Sequence, residues 1–259
     1  MFVLGFGVVR ERAESLVQRW IKSRGVFAHS GLKTATLEKI RGVYLPAYLY
    51  GAIADTDYDA QIGENYTVTE TYTTTDSKGR AVTRTRTVVK TEWRHLSGQH
   101  TCYVLDVLVT ASNGIPNAEL EAVEPFDLRA LRRYTPAVLS GWIAEEPSVS
   151  KDDCFGLAHD ESVGKVGDAL GKFMPGDSYR DLNYRTTVRD EVIDLVLLPI
   201  WVFAARYAED KPPVRILVNG QTGEVQGRVP LSKMKITVAI LCLVGAIAIV
   251  VFGVTGGMR

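Results

Sequence analysis

The chain has 259 residues, 46% of them hydrophobic, and its 30 Lys and Arg are matched by 30 Asp and Glu. That apolar share suffices for a packed core and excludes wholesale disorder. The even charge argues against a protein that wraps nucleic acid, whose phosphates select a basic excess.

The first fifty residues are nevertheless basic, through Arg10, Arg12, Arg19, Lys22, Arg24, Lys33, Lys39 and Arg41. Within them Val9–Arg24 reads as an amphipathic helix. Val9, Ala13, Leu16, Val17, Trp20 and Ile21 fall on one stripe, and Gly25 is placed to end it. "GVYLPAYLYGA" reads as a strand, with Pro46 marking an edge or a bulge because proline cannot donate to a ladder.

From Tyr66 to Trp93, threonines recur at alternate positions on both sides of "DSKG". β-Branched residues at period two around good turn chemistry predict a β-hairpin. So few large apolar side chains leave both faces wet, so the hairpin is expected to project as an arm. Tyr72, Thr74, Arg84 and Arg86 are its candidate partner-binding residues. A further strand is expected from Cys102 to Thr110.

Two short helices follow, capped by Ser112 or Asn117 and by Asp127. A helix is expected from Ser162 to Phe173, with Val163, Val166, Leu170 and Phe173 on one side. Its glycines each weaken it by about 1 kcal/mol relative to Ala, but would permit close packing. Tyr184–Tyr207 returns to strand, and "VRILVNGQTGEVQGRVP" reads as a hairpin turning at Asn219-Gly220 or Thr222-Gly223. "VYLPAYLYGA" (43–52) echoes "VLLPIWVFAA" (196–205), which suggests two equivalent strands in one sheet.

The last segment is uncharged from Ile236 to Val254. As a helix it would extend about 28 Å, close to the roughly 30 Å hydrocarbon core of a bilayer. A single transmembrane helix is therefore expected, with Ile236, Ile240, Leu243, Ile247, Val250 and Val254 as anchor residues. Arg228, Lys233 and Lys235 precede it and only Arg259 follows, which orients the N-terminal part to the cytoplasm. Cys102, Cys154 and Cys242 form no disulfide framework and fit a reducing compartment.

Patterns that carry chemistry are sparse. "GKVGDALGKF" (164–173) resembles a phosphate loop, but its glycine spacing is one residue short and Phe173 replaces the magnesium-binding hydroxyl. His95, His100 and Cys102 lie close in sequence, with Cys154 and His159 further off. No paired CxxC spacing supports a zinc site among them. There is no GxSxG. Asp106, Glu145 and Glu146 could supply paired carboxylates, but Glu145-Glu146-Pro147 reads as a surface turn. No catalytic, cofactor-binding or metal residue is assigned, no cofactor is expected, and the chain is read as not an enzyme.

Leu198, Pro199 and Trp201, then Val218, Asn219, Gly220, Thr222 and Gly223, then Pro230, Ser232 and Lys235 before the apolar run form a recognisable pattern. The chain resembles bacterial membrane proteins described as TFIIB-type zinc-ribbon-containing. The likeness extends through "GVYLPAYLY", "EPFDLRALRRYTPAVLSGWIAE" and the N-terminal helix. It lacks the Cys-rich ribbon that begins many relatives, so zinc is not carried over. Some relatives lie beside phage-shock-type envelope-stress proteins, and the resemblance implies an adaptor role.

Together these readings predict an α+β fold: a mostly antiparallel twisted sheet with peripheral helices, a long β-hairpin and one C-terminal transmembrane helix. Residues 1–230 would form a cytoplasmic domain with the hairpin at about 66–93. Residues 231–235 would be a basic linker, 236–254 the span and 255–259 a short tail. The expected function is a tail-anchored, single-pass adaptor at the bacterial inner membrane. Its partners would be membrane lipid and a protein of phage-shock or membrane-coating type, not nucleic acid. A lipid-surface sensor and a membrane-tethered enzyme are the alternatives.

Overall fold

In the computed structural model, residues 1–75 and 79–256 are described, with side chains placed through 245 and at 247. The elements in chain order begin with β1 (Phe2–Val3), α1 (Arg10–Lys22), a 3-10 turn (Ser30–Thr34), β2 (Thr36–Thr75) and β3 (Ala81–Thr110). Next come α2 (Asn117–Glu121), 3-10 turns at Leu128–Ala130 and Pro136–Leu139, β4 (Arg132–Arg133) and β5 (Ile143–Ala144). The chain continues through α3 (Lys151–Phe173), β6 (Ser178–Arg206), β7 (Val214–Asn219), β8 (Val225–Gly227) and α4 (Lys233–Gly256).

The strands pair in the order β3-β2-β6-β1-β4, with β5 on β2 and the β7–β8 hairpin on β6. The β1–β6 and β2–β5 pairs are parallel, while β1–β4, β6–β7 and β7–β8 are antiparallel. The sheet is therefore mixed, which corrects the expected mostly antiparallel one. The two echoing ten-residue stretches begin on β2 and β6, which are neighbours in this sheet.

Contacts divide the chain into two compact units. The first comprises Met1–Tyr48, Leu108–Lys151 and Asp194–Arg259. Its core forms where the apolar stripe of α1 meets the inward residues of β6 and β7. Ala13, Val17, Trp20 and Ile21 pack with Phe203, Ile216 and Val218. Burying each large aliphatic or aromatic side chain of this set contributes about 1.5–3 kcal/mol. Val9 stays outside the stripe as the extended N-cap residue. Trp201 is buried too, and its Nε1 donates to Val8 O at 2.8 Å. Gly42 is needed beside it, because a Cβ there would come within 2.6 Å of the Trp142 ring, which stacks on Phe6 at 4.0 Å.

The Asn-Gly-Gln-Thr-Gly stretch is the turn between β7 and β8, and its role is structural. Asn219 is fully buried. Its Nδ2 donates to Val123 O at 2.9 Å and Pro125 O at 3.1 Å. Its Oδ1 accepts from the backbone of Gln221 at 2.9 Å and Thr222 at 3.0 Å. All four hydrogen-bonding positions of the amide are thus filled. Gly220 O takes the backbone N–H groups of Gly7 and Val8, both at 2.8 Å, so the turn also holds the strand-to-helix connection before α1.

The second unit comprises Leu49–Val107 and Asp152–Ile193. Helix α3 covers one face of its sheet, burying Cys154, Ala158, Ser162, Val166 and Leu170. That stripe starts two turns before the expected helix, and Phe173 is exposed. Small residues on β2, namely Ala52, Ala54 and Ala60, lie buried on the same unit's sheet. The helical glycines admit tyrosines rather than backbone: a Cβ on Gly167 would fall 2.1 Å from Tyr184 Oη, and one on Gly171 2.6 Å from Tyr179 Oη. The sequence resembling a phosphate loop is thus interior helix. Asp181 and Asp190, with φ of 53° and 54°, interrupt the regular pleat of β6.

Among the described residues, no helix is long and apolar enough to cross a membrane. This overturns the expected transmembrane helix at 236–254, and with it the single-pass, tail-anchored placement at the bacterial inner membrane. Ile236 instead joins Phe27, Leu231, Ala239, Ile240 and Leu243 around a small apolar recess of about 390 Å³. Ile240, Leu243 and Ile247 are exposed; the side chains of Val250 and Val254 lie outside the described residues. The cations read as orienting signals have local partners. Lys235 Nζ donates to Ala28 O at 3.0 Å, and Arg228 lies 3.5 Å from Glu119. Lys233 is exposed.

Candidate functional site

The hairpin predicted at 66–93 is the far end of two much longer strands. Side-chain contacts establish its register. Thr101 bonds Asp55 at 2.7 Å and Gln99 bonds Asp57 at 2.8 Å. Thr91 bonds Asn65 at 2.7 Å, and Arg86 reaches Glu70 at 3.0 Å. In every pair the two numbers add up to 156, so β2 and β3 run antiparallel in one register with no slip between Asp55 and Glu70.

That register sorts the side chains onto two faces, because successive residues of a strand alternate. On one face Thr69 stands opposite Thr87, Thr71 opposite Thr85 and Thr73 opposite Thr83, all exposed. On the other face Tyr72 stands opposite Arg84, with Glu70, Arg86 and Lys90 beside them. The Arg86 guanidinium lies 5.7 Å from the centre of the Tyr72 ring. Glu70 accepts from Lys90 Nζ at 2.9 Å as well as from Arg86. Lys90 and then Arg86 hold the Glu70 carboxyl below the usual carboxylate range. These pairs are exposed and add little to stability. Three of the four expected partner-binding residues, Tyr72, Arg84 and Arg86, therefore cluster on one face; Thr74 shares that face by register and is half-buried. Of the turn, Asp76–Lys78 lie outside the described residues.

A second cluster of this unit escaped the sequence reading. Tyr50 on β2 is fully buried, and its hydroxyl donates to Glu191 Oε2 on β6 at 2.5 Å. His159 Nδ1 on α3 lies 2.8 Å from the same oxygen, and Ser162 Oγ donates to His159 O at 2.7 Å. Phe155 meets the Tyr50 ring edge-on at 5.7 Å. Burial raises the Tyr50 phenol well above its ordinary value, and the Glu191 carboxylate adds to it. Burial also raises Glu191, but the hydrogen bonds from Tyr50 and His159 outweigh it and leave the carboxyl below the usual range. The result is a carboxylate that receives two donors and ties α3 to two strands. Ser162 is buried, and its hydroxyl is shared between His159 O and the Tyr50 hydroxyl, so it is not presented as a nucleophile. His159 and Ser162 three apart on one helical face were the available signal. Tyr50 and Glu191 carried none, because their meeting depends on the β2–β6 pairing.

The other expected candidates do not converge. His100 and Cys102 share a face by alternation, whereas His95 falls on the opposite one. His100 packs instead against the Phe173 ring at 5.3 Å. Burial raises the thiols of Cys102 and Cys154, which keeps them protonated near neutrality. Among the described residues no group of three His, Cys, Asp or Glu is placed to hold a metal ion. Glu145 accepts from Ser112 Oγ. Asp127 caps its 3-10 turn as expected, accepting from Arg129 N at 3.2 Å. Ser112 and Asn117 do not cap α2, and Asn117 Oδ1 accepts from Thr110 N at 3.0 Å.

Against known proteins, no protein-family model matches the chain, and no solved structure matches it. The chain is similar to the uncharacterized protein YdjG of Bacillus subtilis (strain 168), at 25% identity over 244 residues. That alignment takes in 90% of this chain and 64% of the relative, so the chain spans somewhat under two thirds of that protein's length.

Proposed function

We propose that the protein is a non-enzymatic adaptor that holds a protein partner through the Tyr72–Arg84–Arg86 face of the β2–β3 hairpin. The observation that carries this reading is the hairpin itself: some twenty residues of ordered strand whose side chains are largely exposed on both faces. A two-stranded ribbon gains little stability from such surfaces, so its composition is free to serve recognition. Arg84, Arg86 and Lys90 outnumber the one carboxylate among them, Glu70, and an aromatic ring lies within the patch. Tyr and Arg are the residues that dominate binding energy at interfaces. The partner surface that fits is acidic with an exposed apolar or aromatic anchor. The resemblance to proteins found beside envelope-stress components supports the same class of role.

The test is quantitative proximity labelling in cells with the full chain and with a Tyr72→Ala/Arg84→Ala/Arg86→Ala variant, after nuclease treatment. The expected result is a small set of proteins labelled by the parent chain and lost from the variant, whose melting curve matches the parent. A labelled set identical for both, or one that disappears on nuclease treatment, refutes the reading.

A further inference from the structure

We propose that the first unit carries a binding groove for a small amphipathic carboxylate, a free acid with one apolar body. The groove is independent of the hairpin and of the adaptor reading. It has a volume of about 790 Å³, within the roughly 300–1,000 Å³ usual for small-molecule sites. Its walls are mostly apolar, with Ala118 and Ala122 of α2 on one side and Pro213, Leu217, Val229 and Pro230 on the other. Four prolines line it; their fixed backbone angles leave little to order when a ligand enters.

Charge decides the class of occupant. Two guanidinium groups, Arg215 and Arg228, line the groove with one carboxylate, Glu119. Arg215 is committed: its Nη2 lies 2.7 Å from Glu119 Oε2, and its Nη1 donates to Gly114 O at 2.5 Å. Arg228 is held only at 3.5 Å from Glu119 Oε1, and its side chain is 86% exposed. The groove thus has one positive charge more than its negative charge, on the guanidinium with donors to spare. A carboxylate accepts two parallel N–H bonds from such a fork, while the chain or ring attached to it covers the apolar walls. A cation would be repelled by that charge, and a neutral lipid-like alcohol would gain no ion pair from it.

The experiment is isothermal titration calorimetry on the full chain with decanoate, kept below its micellar range. Decanol, and a short peptide ending in an apolar residue, serve as comparisons. Decanoate is expected to bind saturably at one site, about tenfold or more tighter than decanol, a gap of about 1.4 kcal/mol. Arg228→Ala should reduce decanoate to the level of decanol, and Arg228→Lys should restore part of the difference. Ala118→Trp should abolish binding of both; Ala118 is exposed, so this change fills the groove without touching the core, and an unaltered melting curve verifies that. Equal affinity for acid and alcohol overturns the proposal. So does binding insensitive to Ala118→Trp, which places the ligand elsewhere, or a peptide that binds more tightly than the free acid.

Discussion

Replacing Asn219 by aspartate exchanges an amide NH2 for a carboxylate oxygen at almost constant shape, so it isolates electrostatics from packing. The two donor bonds to Val123 O and Pro125 O become oxygen–oxygen contacts in a fully buried site. The remaining oxygen keeps the N–H groups of Gln221 and Thr222. Losing two buried hydrogen bonds costs about 1 kcal/mol each, with more for the carbonyls left unpaired. The new acid can escape part of this by taking a proton and donating to one carbonyl. Holding a proton costs about 1.4 kcal/mol for each pH unit above the ordinary aspartate value near 3.9, or about 4 kcal/mol at neutrality. The total penalty near pH 7 is therefore about 3–5 kcal/mol. Its pH dependence is the sharper signature. With the folded-state value of the introduced carboxyl raised, the folded chain binds more protons than the unfolded one above about pH 4, so stability falls as pH rises. Urea denaturation followed by circular dichroism should show an N219D penalty at least about 2 kcal/mol smaller near pH 5 than near pH 7.5. N219A should show no such slope. An N219D protein within about 1 kcal/mol of the parent at neutral pH, or equally impaired at both pH values, would refute the role given to this turn.

Tyr50→Phe removes the buried donor to Glu191 and should cost about 1.5–3 kcal/mol in urea denaturation. Because Glu191 sits below its ordinary value, its contribution is present above about pH 4.3 and is lost as pH falls through the folded value. Tyr50→Phe should therefore move the acid-unfolding midpoint upward, and an unchanged midpoint would mean the phenol does not stabilise the carboxylate. Gly220→Ala places a Cβ 2.6 Å from the Phe6 ring and 2.8 Å from Pro199 O, and should lower stability by about 1–3 kcal/mol, read as a melting shift. Thr71→Val and Thr85→Val, singly, should each stay within about 0.5 kcal/mol of the parent, since both threonines are exposed; larger losses in a melt would show that the threonine face is packed.

Local patterns were legible where one element dictates its own shape. The α1 stripe, the alternation of threonines in the hairpin, the Asp127 cap and the β7–β8 turn each depend on residues within four or five positions, and all appear in the structure. Helix α3 was readable only in its C-terminal half, because Cys154, Ala158 and Ser162 are small or polar residues that become buried only once the sheet lies beneath them. Strands β1, β4 and β5 are two residues each, too short to leave a periodic signal, yet β1 and β5 make the sheet mixed. The apolar run at 236–254 shows the opposite failure: hydropathy alone predicted a spanning helix that the described residues do not form.

By itself the sequence determined the helical type of α1, the alternating strand pattern of the hairpin and the turn after β7, since these follow from the 3.6- and 2-residue periods and the turn chemistry of a single segment. Only the tertiary structure decided the unbroken β2–β3 register, the meeting of Tyr50, His159 and Glu191, and the pairing of Arg215 and Arg228 with one Glu119. Those depend on which distant segments choose each other, a choice settled by burial and hydrogen bonding summed over the whole fold rather than by any local repeat.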